Sequence, residues 1–378
     1  MIPTSLPQLR LDVDALDRNI DRMTAWCAGH GAALAPHVKT TMSPQIVARQ
    51  LAAGARGVTV AATHQAVLAA RWGATEILIA NEVVGAARLR TLRDDPDLAR
   101  ATVRILVDSA EGVARAAEVF AGREDRPLGI LIDVGTPTRG RTGVRTKAEA
   151  LALADAVAAA PGLRLDGVAG YEGVVPNERS GDVVDAVDAH CRFVAEVFDA
   201  VRPRIGADEP IFSMGGSAFP DRVVAALPAD RDGVLVLLRS GCYVTHDHGT
   251  YAGVSPIAGL EPALSVAALV TSRPEPGLAV LNAGKRDLPY DAGLPVVLGA
   301  RRDGDPVDDV DPDTVAVRNL YDHHAVLTGV PAGLRIGDVV DLGISHPCSA
   351  FDRWPEYLAL GAGAPPRVWT TDFRRDPG

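Results

Sequence analysis

The sequence contains few cysteines and no long apolar run. Its four cysteines, Cys27, Cys191, Cys242 and Cys348, are far apart and form no CxxC pair, which supports neither a disulfide framework nor a zinc-finger pattern. No apolar stretch approaches the ~18 residues that span a bilayer. The first residues also lack the basic start and apolar core of a signal peptide. We therefore expect a cytoplasmic protein in a reducing compartment, with no membrane partner.

The chain also lacks an excess of basic residues. Lys and Arg number 38 against 48 Asp and Glu, which gives a net charge of −10. This balance disfavours nucleic acid and anionic membranes as partners. Hydrophobic residues make up 47% of the chain, so a large apolar core can form. Because 378 residues exceed the roughly 250 of an α/β barrel, we expect a barrel plus a smaller domain.

Short apolar runs alternate with alanine-rich amphipathic stretches over residues 14–250. Apolar strands between such helices indicate a parallel sheet that helices cover on its outside. Eight such units predict an α/β fold, a (β/α)8 TIM barrel. The predicted strands are Ala33–Thr40, Gly57–Ala62, Glu76–Glu82, Val103–Ser109, Leu128–Val134, Arg164–Glu172, Pro210–Gly215 and Gly233–Gly241.

After about Thr250 the pattern changes to short β-type runs broken by Gly, Pro and Asp. No convincing helix separates these runs, so we expect a separate β domain over residues 251–378. The run Leu9–Val13 precedes the first expected helix. We therefore expect residues 1–13 to add a strand to that domain.

Lys39 closes the first predicted strand, and active-site groups of such barrels lie where strands end. A buried lysine loses its proton more readily than one in water, and the free amine condenses with an aldehyde. Lys39 is therefore a candidate Schiff-base lysine. His37 lies two residues earlier, so both side chains are expected on one face of the strand. The alternative is a surface lysine after a strand.

The seventh and eighth predicted strands end in segments rich in glycine and serine. Backbone N–H groups and hydroxyls there can hold a phosphate, a recurring feature after strands seven and eight of such barrels. Glycine also serves plain turns. A lysine opposite a phosphate site suits pyridoxal 5′-phosphate (PLP), whose aldehyde and phosphate lie on opposite sides of the ring. The candidate cofactor residues of these two segments are Ser213, Gly215, Gly216, Ser217, Ser240, Gly241 and Tyr243.

His346 and Cys348 form a candidate metal pair in the β domain. Residues two apart on an extended segment share a face, and imidazole plus thiolate is a zinc-type ligand pair. The alternative is a turn with a buried cysteine and an incidental histidine. His246-Asp247-His248 is a weaker metal motif. Of the adjacent pair His323-His324 only one side chain can reach a site, and we prefer His324.

These segments resemble the fold-type III, alanine-racemase-like family of PLP enzymes, within it the D-threonine aldolase and D-serine dehydratase branch. The likeness covers most of the chain. It rests on Pro36-His37-Val38-Lys39-Thr40, on Asp133 and Gly135 followed by Arg141 and Gly143, on Gly215-Gly216-Ser217, and on Gly241-Cys242-Tyr243.

The resemblance assigns roles to several residues. It implies that Lys39 forms the Schiff base, that Arg141 contacts the phenolic oxygen of PLP, and that Tyr171 lies near the pyridine nitrogen. It also implies a homodimer in which the β domain of one chain lies near the barrel mouth of the other.

The metal motif separates the branches of this family. D-serine dehydratases resemble this chain in carrying His-x-Cys with zinc, whereas D-threonine aldolases place Asp at the second position and favour manganese-like ions. A soft thiolate supports Zn²⁺ over Mn²⁺. The chain departs from the common pattern around the lysine, where Ala35, Thr41 and Met42 replace an arginine, a histidine and a lysine.

We therefore expect a PLP- and zinc-dependent dehydratase of a β-hydroxy D-amino acid such as D-serine or D-threonine, giving a 2-oxo acid and ammonia. Lys39 would remove the α-proton, and zinc on His346 and Cys348 would bind the β-hydroxyl. The first alternative is retro-aldol cleavage to glycine and an aldehyde, in which a base such as His324 or a metal-bound group takes the β-hydroxyl proton. The second is a non-catalytic PLP-binding protein, which the β domain and the His-x-Cys pair disfavour.

Overall fold

The computed structural model describes residues 5–136, 141–228 and 230–373. The outermost ends of the expected β domain, residues 1–4 and 374–378, lie outside the described residues. Strand β1 (Gln8–Asp12) comes first and is followed by helix α1 (Val13–Gly29), which Asp12 caps by accepting a hydrogen bond from Ala15 N at 2.9 Å. β1 pairs with strands of the C-terminal domain and not with the barrel.

A parallel eight-stranded sheet forms a nearly closed barrel, which confirms the predicted fold class. From the second barrel strand to the eighth, neighbours in the sheet are also neighbours in the chain, and the first strand pairs with the eighth. The barrel strands are β2 (Ala33–Leu34), β3 (Val58–Val60), β4 (Glu76–Glu82), β5 (Thr102–Val107), β6 (Leu128–Val134), β7 (Leu163–Gly170), β8 (Ile211–Met214) and β9 (Leu235–Leu238).

The first barrel strand is much shorter than predicted. It ends at Leu34, and a 3-10 turn, Val38–Thr40, replaces its predicted end. Pro36 has no N–H to donate, which interrupts regular pairing, although His37 N beyond it still donates to Arg239 O at 3.2 Å. A single bridge from His37 to Thr59 and a hydrogen bond from Thr59 N to Pro36 O at 2.9 Å bring β2 and β3 together.

Helices cover the outside of the barrel, as the amphipathic stretches predict. Several begin with a side-chain cap, and Thr146 with Glu149 forms a capping box at one of them. After α1, the helices are α2 (Pro44–Ala52), α3 (Thr63–Arg71), α4 (Ala86–Asp94), α5 (Ala110–Phe120), α6 (Lys147–Ala158), α7 (Gly181–Val201), α8 (Pro220–Ala225) and α9 (Thr250–Val254). Among the described residues, none of the helices combines the length and apolar character that crossing a membrane requires.

A small apolar cluster fills the barrel interior. It takes side chains from seven strands or strand ends: Ala35, Leu78, Leu106, Leu131, Ala169, Ile211 and Leu237. Such a layer makes the barrel a packed core and not a pore. The functional groups are therefore restricted to the open end above this layer, where the strands terminate.

The C-terminal domain is a mainly antiparallel β sheet. Six of its strands close on themselves, because β11 pairs with both β15 and β10, and β1 joins it next to β10 and β17. The loop between β16 and β17 carries two 3-10 turns, Pro347–Ser349 and Phe351–Arg353. The strands are β10 (Leu264–Ser272), β11 (Gly277–Leu281), β12 (Val296–Arg302), β13 (Asp305–Pro306), β14 (Ala316–Leu320), β15 (Ala325–Val330), β16 (Val339–Gly343), β17 (Glu356–Gly361) and β18 (Ala364–Thr370).

Candidate active site

A cavity of about 300 Å³ lies at the carboxyl ends of the barrel strands. Its size is at the lower end of the range of small-molecule sites. Of the residues predicted from the sequence, it is lined by His37, Lys39, Arg141, Tyr171, Gly215, Gly216, Ser217, Gly241 and Cys348. It is also lined by polar residues that were not assigned a role from the sequence: Thr40, Asn81, Glu82, Asp133, Thr142, Arg239, Cys242 and Tyr251.

Lys39 reaches this cavity from a 3-10 turn and not from a strand end. Its side chain is exposed, so the expectation of a buried lysine is wrong. The neighbouring His37 is half-buried, and its Nδ1 atom has no hydrogen-bond partner. Burial, together with the nearby cations Lys39 and Arg239, holds the pKa of His37 well below its usual value. The imidazole is therefore neutral beside the amine.

The glycine turn after β8 lines the same cavity, and its shape depends on glycine. Gly215 has a φ of +98°, and a Cβ on Gly216 would lie 3.0 Å from the Tyr171 ring and 3.3 Å from Glu172 Oε1. The N–H groups of Gly215 and Gly216 donate to the buried Glu172 carboxylate at 3.2 and 2.6 Å. The two N–H groups expected to hold a phosphate are thus bonded to a carboxylate in this structure.

Three of the predicted cofactor residues do not line the cavity. Ser213 is fully buried and donates its hydroxyl to Leu237 O at 3.1 Å, and Ser240 donates to Gly216 O at 2.7 Å. The Tyr243 hydroxyl accepts a hydrogen bond from Gln50 Nε2 at 3.0 Å in the core. Their hydrogen bonds stabilise the turns instead. Tyr243 therefore does not reach the cavity.

Arg239 provides a buried positive charge under the cavity. Its guanidinium donates to Gly170 O at 2.6 Å and to Ser213 Oγ at 3.1 Å. Burial lowers the pKa of Arg239, while the carboxyl groups of Glu172 and Asp133 oppose this shift. The guanidinium carbon of Arg141 lies 5.7 Å from the centre of the Tyr171 ring, so these two predicted residues are adjacent across the mouth.

Carboxylates line the third side of the mouth, at the ends of β4 and β6. Burial and the neighbouring Asp133 raise the pKa of Glu82 to about 7. Asp133 accepts a hydrogen bond from Thr142 Oγ1 at 2.7 Å, and Asp108 accepts one from Gly143 N at 3.0 Å. These two bonds hold the segment that carries Arg141 against the barrel.

Two cysteines and a histidine meet where the β domain contacts the barrel. The Sγ atoms of Cys242 and Cys348 are 3.3 Å apart, and one donor atom from each of these residues and His346 lies within 4.8 Å of the others. The Thr40 hydroxyl lies 3.4 Å from Cys348 Sγ. The cysteines are free thiols. Sequence reasoning identified His346 and Cys348 as a pair but missed Cys242.

The metal-ligand geometry differs from the sequence expectation in one respect. Pro347–Ser349 is a 3-10 turn, so the argument from an extended segment is wrong, although the turn still brings both donors together. The hydrogen bond to Cys242 and the contact with His346 lower the pKa of Cys348 well below its usual value, against burial. His346 Nδ1 has no hydrogen-bond partner, and Asp247 Oδ2 lies 4.0 Å away. A thiolate, a second sulfur and an unpaired imidazole nitrogen fit a soft divalent metal.

Two other predicted groups supply no donor atom to this metal group. His324 is exposed in the hairpin between β14 and β15 and does not line the cavity, so its expected acid/base role has no geometric support within one chain. In the weaker motif, His246 and His248 are not part of the three-residue metal group. The Asp247 Oδ1 atom accepts N–H groups at the start of α9, the tightest from Tyr251 N at 2.8 Å.

Comparison with known proteins agrees with this architecture. Residues 11–222 match the family described as Alanine racemase, N-terminal domain. The chain belongs to the alanine racemase family. Residues 263–360 match a serine dehydratase domain. The barrel and the β domain together therefore have the domain arrangement of the fold-type III PLP enzymes.

Similar proteins of the alanine racemase family include both aldolases and dehydratases. A D-threonine aldolase from an Arthrobacter species is 29% identical over 97% of this chain and 92% of its own length. The crystal structure of D-threonine aldolase from Filomicrobium marinum has a TM-score of 0.80 at 27% identity and covers 97% of this chain and 95% of that chain. The D-threo-3-hydroxyaspartate dehydratase of Delftia sp. HT23 has a TM-score of 0.77 at 25% identity, with 97% of each chain covered.

The cavity also fits the cofactor of this family. One amine, that of Lys39, lies at one side, and the glycine turn, where a Cβ would fill the space beside Tyr171, lies at another. The three-residue sulfur and imidazole group borders the same cavity through Cys242 and Cys348. A PLP site and a metal site would therefore share one space.

Proposed function

We propose that this protein is a PLP- and metal-dependent lyase that dehydrates a β-hydroxy D-amino acid, such as D-serine or D-threonine, to a 2-oxo acid and ammonia. One observation carries the choice of reaction. The thiols of Cys242 and Cys348 border the Lys39 cavity, and His346 completes the three-residue donor group with them. That donor set suits Zn²⁺ better than Mn²⁺.

Lys39 is proposed to bind the aldehyde of PLP and then to act as the base. When bound, the conjugated ring of PLP withdraws electrons from the α-carbon of the substrate. The Lys39 Nζ atom lies in the cavity and can take the α-proton. His37, neutral beside it, adds no positive charge that would disfavour protonation of the Lys39 amine. Arg141, Tyr171, Ser217 and Gly241 are proposed to contact the cofactor, with Gly215 and Gly216 shaping the turn.

The metal would be held by His346 and Cys348. Its chemistry as a Lewis acid is to polarise the β-hydroxyl and lower the cost of expelling it. The Thr40 hydroxyl, 3.4 Å from Cys348 Sγ, can stabilise the thiolate by donating to it. Asp247, close to His346 Nδ1, is placed to orient the imidazole.

Aldolase activity is the second candidate, because two of the similar proteins are D-threonine aldolases. A hard carboxylate ligand would favour it, and Asp352 lies only four residues after Cys348 in the sequence. In the structure, Asp352 pairs with Arg353 at 3.3 Å and borders a different cleft beside Trp72. It is not part of the metal group. The position of Asp352 therefore favours dehydration over aldol cleavage.

A panel of substrates separates these reactions. D-Threonine should give 2-oxobutyrate and ammonia, whereas an aldolase would give glycine and acetaldehyde. D-Serine and D-threo-3-hydroxyaspartate extend the panel to a smaller and an acidic side chain, and the L-amino acids serve as controls. Glycine formed faster than the oxo acid would replace the dehydratase by the aldolase. No turnover of any member would favour a non-catalytic PLP-binding protein.

We further propose a cytoplasmic homodimer. The four free cysteines suit a reducing compartment. Within one chain His324 is exposed and does not line the cavity, and a second copy is our explanation for how it could reach an active site. Analytical ultracentrifugation tests the dimer, and a fully active monomer would contradict it.

A further inference from the structure

We propose that Cys242 is a third protein ligand of the metal, which makes the centre a Cys2His site that selects Zn²⁺ over Mn²⁺. The metal itself belongs to the proposed function, on which this inference rests. The new element is a sulfur ligand from the barrel, facing the two ligands of the β domain.

The backbone holds Cys242 in place independently of any metal. It begins the 3-10 turn Cys242–Val244 after β9, and its N–H donates to Ser217 Oγ at 3.1 Å. A Cβ on Gly241 would lie 2.4 Å from His37 O, so only glycine allows this segment to approach the turn that carries Lys39. The Cys242 side chain is therefore positioned at the wall of the cavity by the barrel alone.

The distance between the two sulfurs fits shared coordination better than a covalent bond. At 3.3 Å the Sγ atoms of Cys242 and Cys348 are far beyond the ~2.05 Å of a disulfide. Two sulfurs on one tetrahedral zinc, each about 2.3 Å from the metal, are separated by about 3.7 Å. A small side-chain rotation closes this difference. The Thr40 hydroxyl, 3.8 Å from Cys242 Sγ and 3.4 Å from Cys348 Sγ, lies beside both sulfurs.

Three protein ligands change the chemistry expected of the centre. A tetrahedral metal with three protein ligands keeps one position open, as catalytic zinc sites do. Cys242 and Cys348 both border the cavity, so the open position can face a substrate hydroxyl. Two thiolates also make the site softer than a His-Cys or His-Asp pair, which disfavours Mn²⁺ and Mg²⁺.

Zinc X-ray absorption spectroscopy of the zinc-loaded holoenzyme counts these ligands directly. The wild-type protein should show two sulfur scatterers at about 2.3 Å, and Cys242→Ala should show one. Cys191→Ala is the matched control, because Cys191 is a fully buried thiol on α7 that neither lines the cavity nor belongs to the metal group, and its loss should leave two sulfurs. Retained PLP absorbance and circular dichroism would show that each variant folds.

Competition with a chelator gives a second readout that needs no substrate. Removing one of three ligands should weaken zinc binding by at least ~10-fold in Cys242→Ala. Even the loss of a residue that only hydrogen-bonds to a metal ligand lowers metal affinity by about that much. Manganese binding, measured in parallel, should be weak in the wild type and change little. Equal zinc affinity in Cys242→Ala and wild type would overturn the assignment.

The outcomes for this inference and for the proposed function are distinguishable. A single sulfur in the wild-type spectrum, which requires no variant, overturns the role of Cys242 even if the enzyme dehydrates D-threonine. If the spectrum shows two sulfurs and the enzyme cleaves D-threonine to glycine, the Cys2His centre is supported and the dehydratase proposal is rejected. A protein that binds no zinc would reject both the Cys2His centre and the metal role of the proposed function.

Discussion

The glycine-turn side and the metal side of the cavity differ in how completely their polar groups are paired. On the glycine-turn side, Gly215 and Gly216 donate to Glu172, and Ser240 donates to Gly216 O. On the metal side, His346 Nδ1 and Asp247 Oδ2 are buried without hydrogen-bond partners. Buried polar groups are normally paired, so the metal side has the character of a site that a ligand completes.

This difference in pairing follows from the structural elements that build the two sides. The glycine-turn side is built entirely from the ends of β7, β8 and β9, which neighbour each other in one sheet. The metal side combines Cys242 and Thr40 of the barrel with His346 and Cys348 of the β16–β17 loop. Damage to the first should therefore affect the cofactor, and damage to the second should affect the metal without the cofactor.

The largest effect is expected from Lys39→Ala, which removes the amine that lines the cavity between the glycine-turn side and the metal side. We expect kcat/KM to fall by at least ~10³-fold, because the variant loses both the covalent hold on PLP and the base. Hydride reduction of the wild-type protein followed by peptide mapping should find the cofactor on Lys39. Lys147→Ala on the outer surface of α6 is the control and should retain activity. Cofactor attached to another lysine would contradict the assignment.

Removal of the metal should separate the two sides. Chelation, Cys348→Ala and His346→Ala should each lower turnover of a β-hydroxy D-amino acid by about 10²–10³-fold, the size of losing a group that stabilises developing charge. PLP absorbance should remain, because the glycine turn keeps its own hydrogen bonds. Full turnover by a metal-free preparation would reject the metal role.

Glu172→Gln tests the glycine-turn side. The variant keeps one acceptor oxygen for two N–H groups and loses the negative charge near Arg239. We expect the free energy of unfolding to fall by about 1–3 kcal/mol, the cost of leaving a buried donor unpaired. Chemical denaturation of the metal-free protein measures it, with Glu118→Gln on the exposed face of α5 as the matched control. An unchanged stability would mean that water or the cofactor pairs the turn instead.

The smallest expected effect concerns pH and the carboxylate side of the mouth. The pKa of Glu82 is about 7 in the folded protein and 4.5 when unperturbed, so folding favours its protonated form. The stabilisation from this preference is present below pH 4.5 and is lost as the pH rises through 7. Glu82→Gln should therefore gain stability relative to wild type between pH 4 and pH 8. We expect about 1–2 kcal/mol, since the part-exposed position of Glu82 screens the shift. A pH-independent difference would contradict the raised pKa.

Much of the barrel and part of the site could be predicted because their signals are local. Alternation of apolar strands with amphipathic helices identified β4 at Glu76–Glu82 and β6 at Leu128–Val134 with the bounds that the structure has. The glycine turn at Gly215 was identifiable because few other residues adopt its backbone conformation. The error at the first strand was also local in origin, since the strand ends at Leu34 and Pro36, which has no N–H, interrupts regular pairing before Lys39.

The fold class, the place of Lys39 at the cavity and the proximity of His346 and Cys348 could be predicted from the sequence, because each depends on periodicity or on residues close together in the chain. Only the tertiary structure showed Cys242 beside Cys348, 106 residues away, Glu172 on the glycine turn, and Tyr251 in place of Tyr243 at the cavity. It also showed that His324 is exposed and does not line the cavity of its own chain. These contacts depend on how the β16–β17 loop packs on the barrel mouth, and no local pattern in the chain encodes that packing.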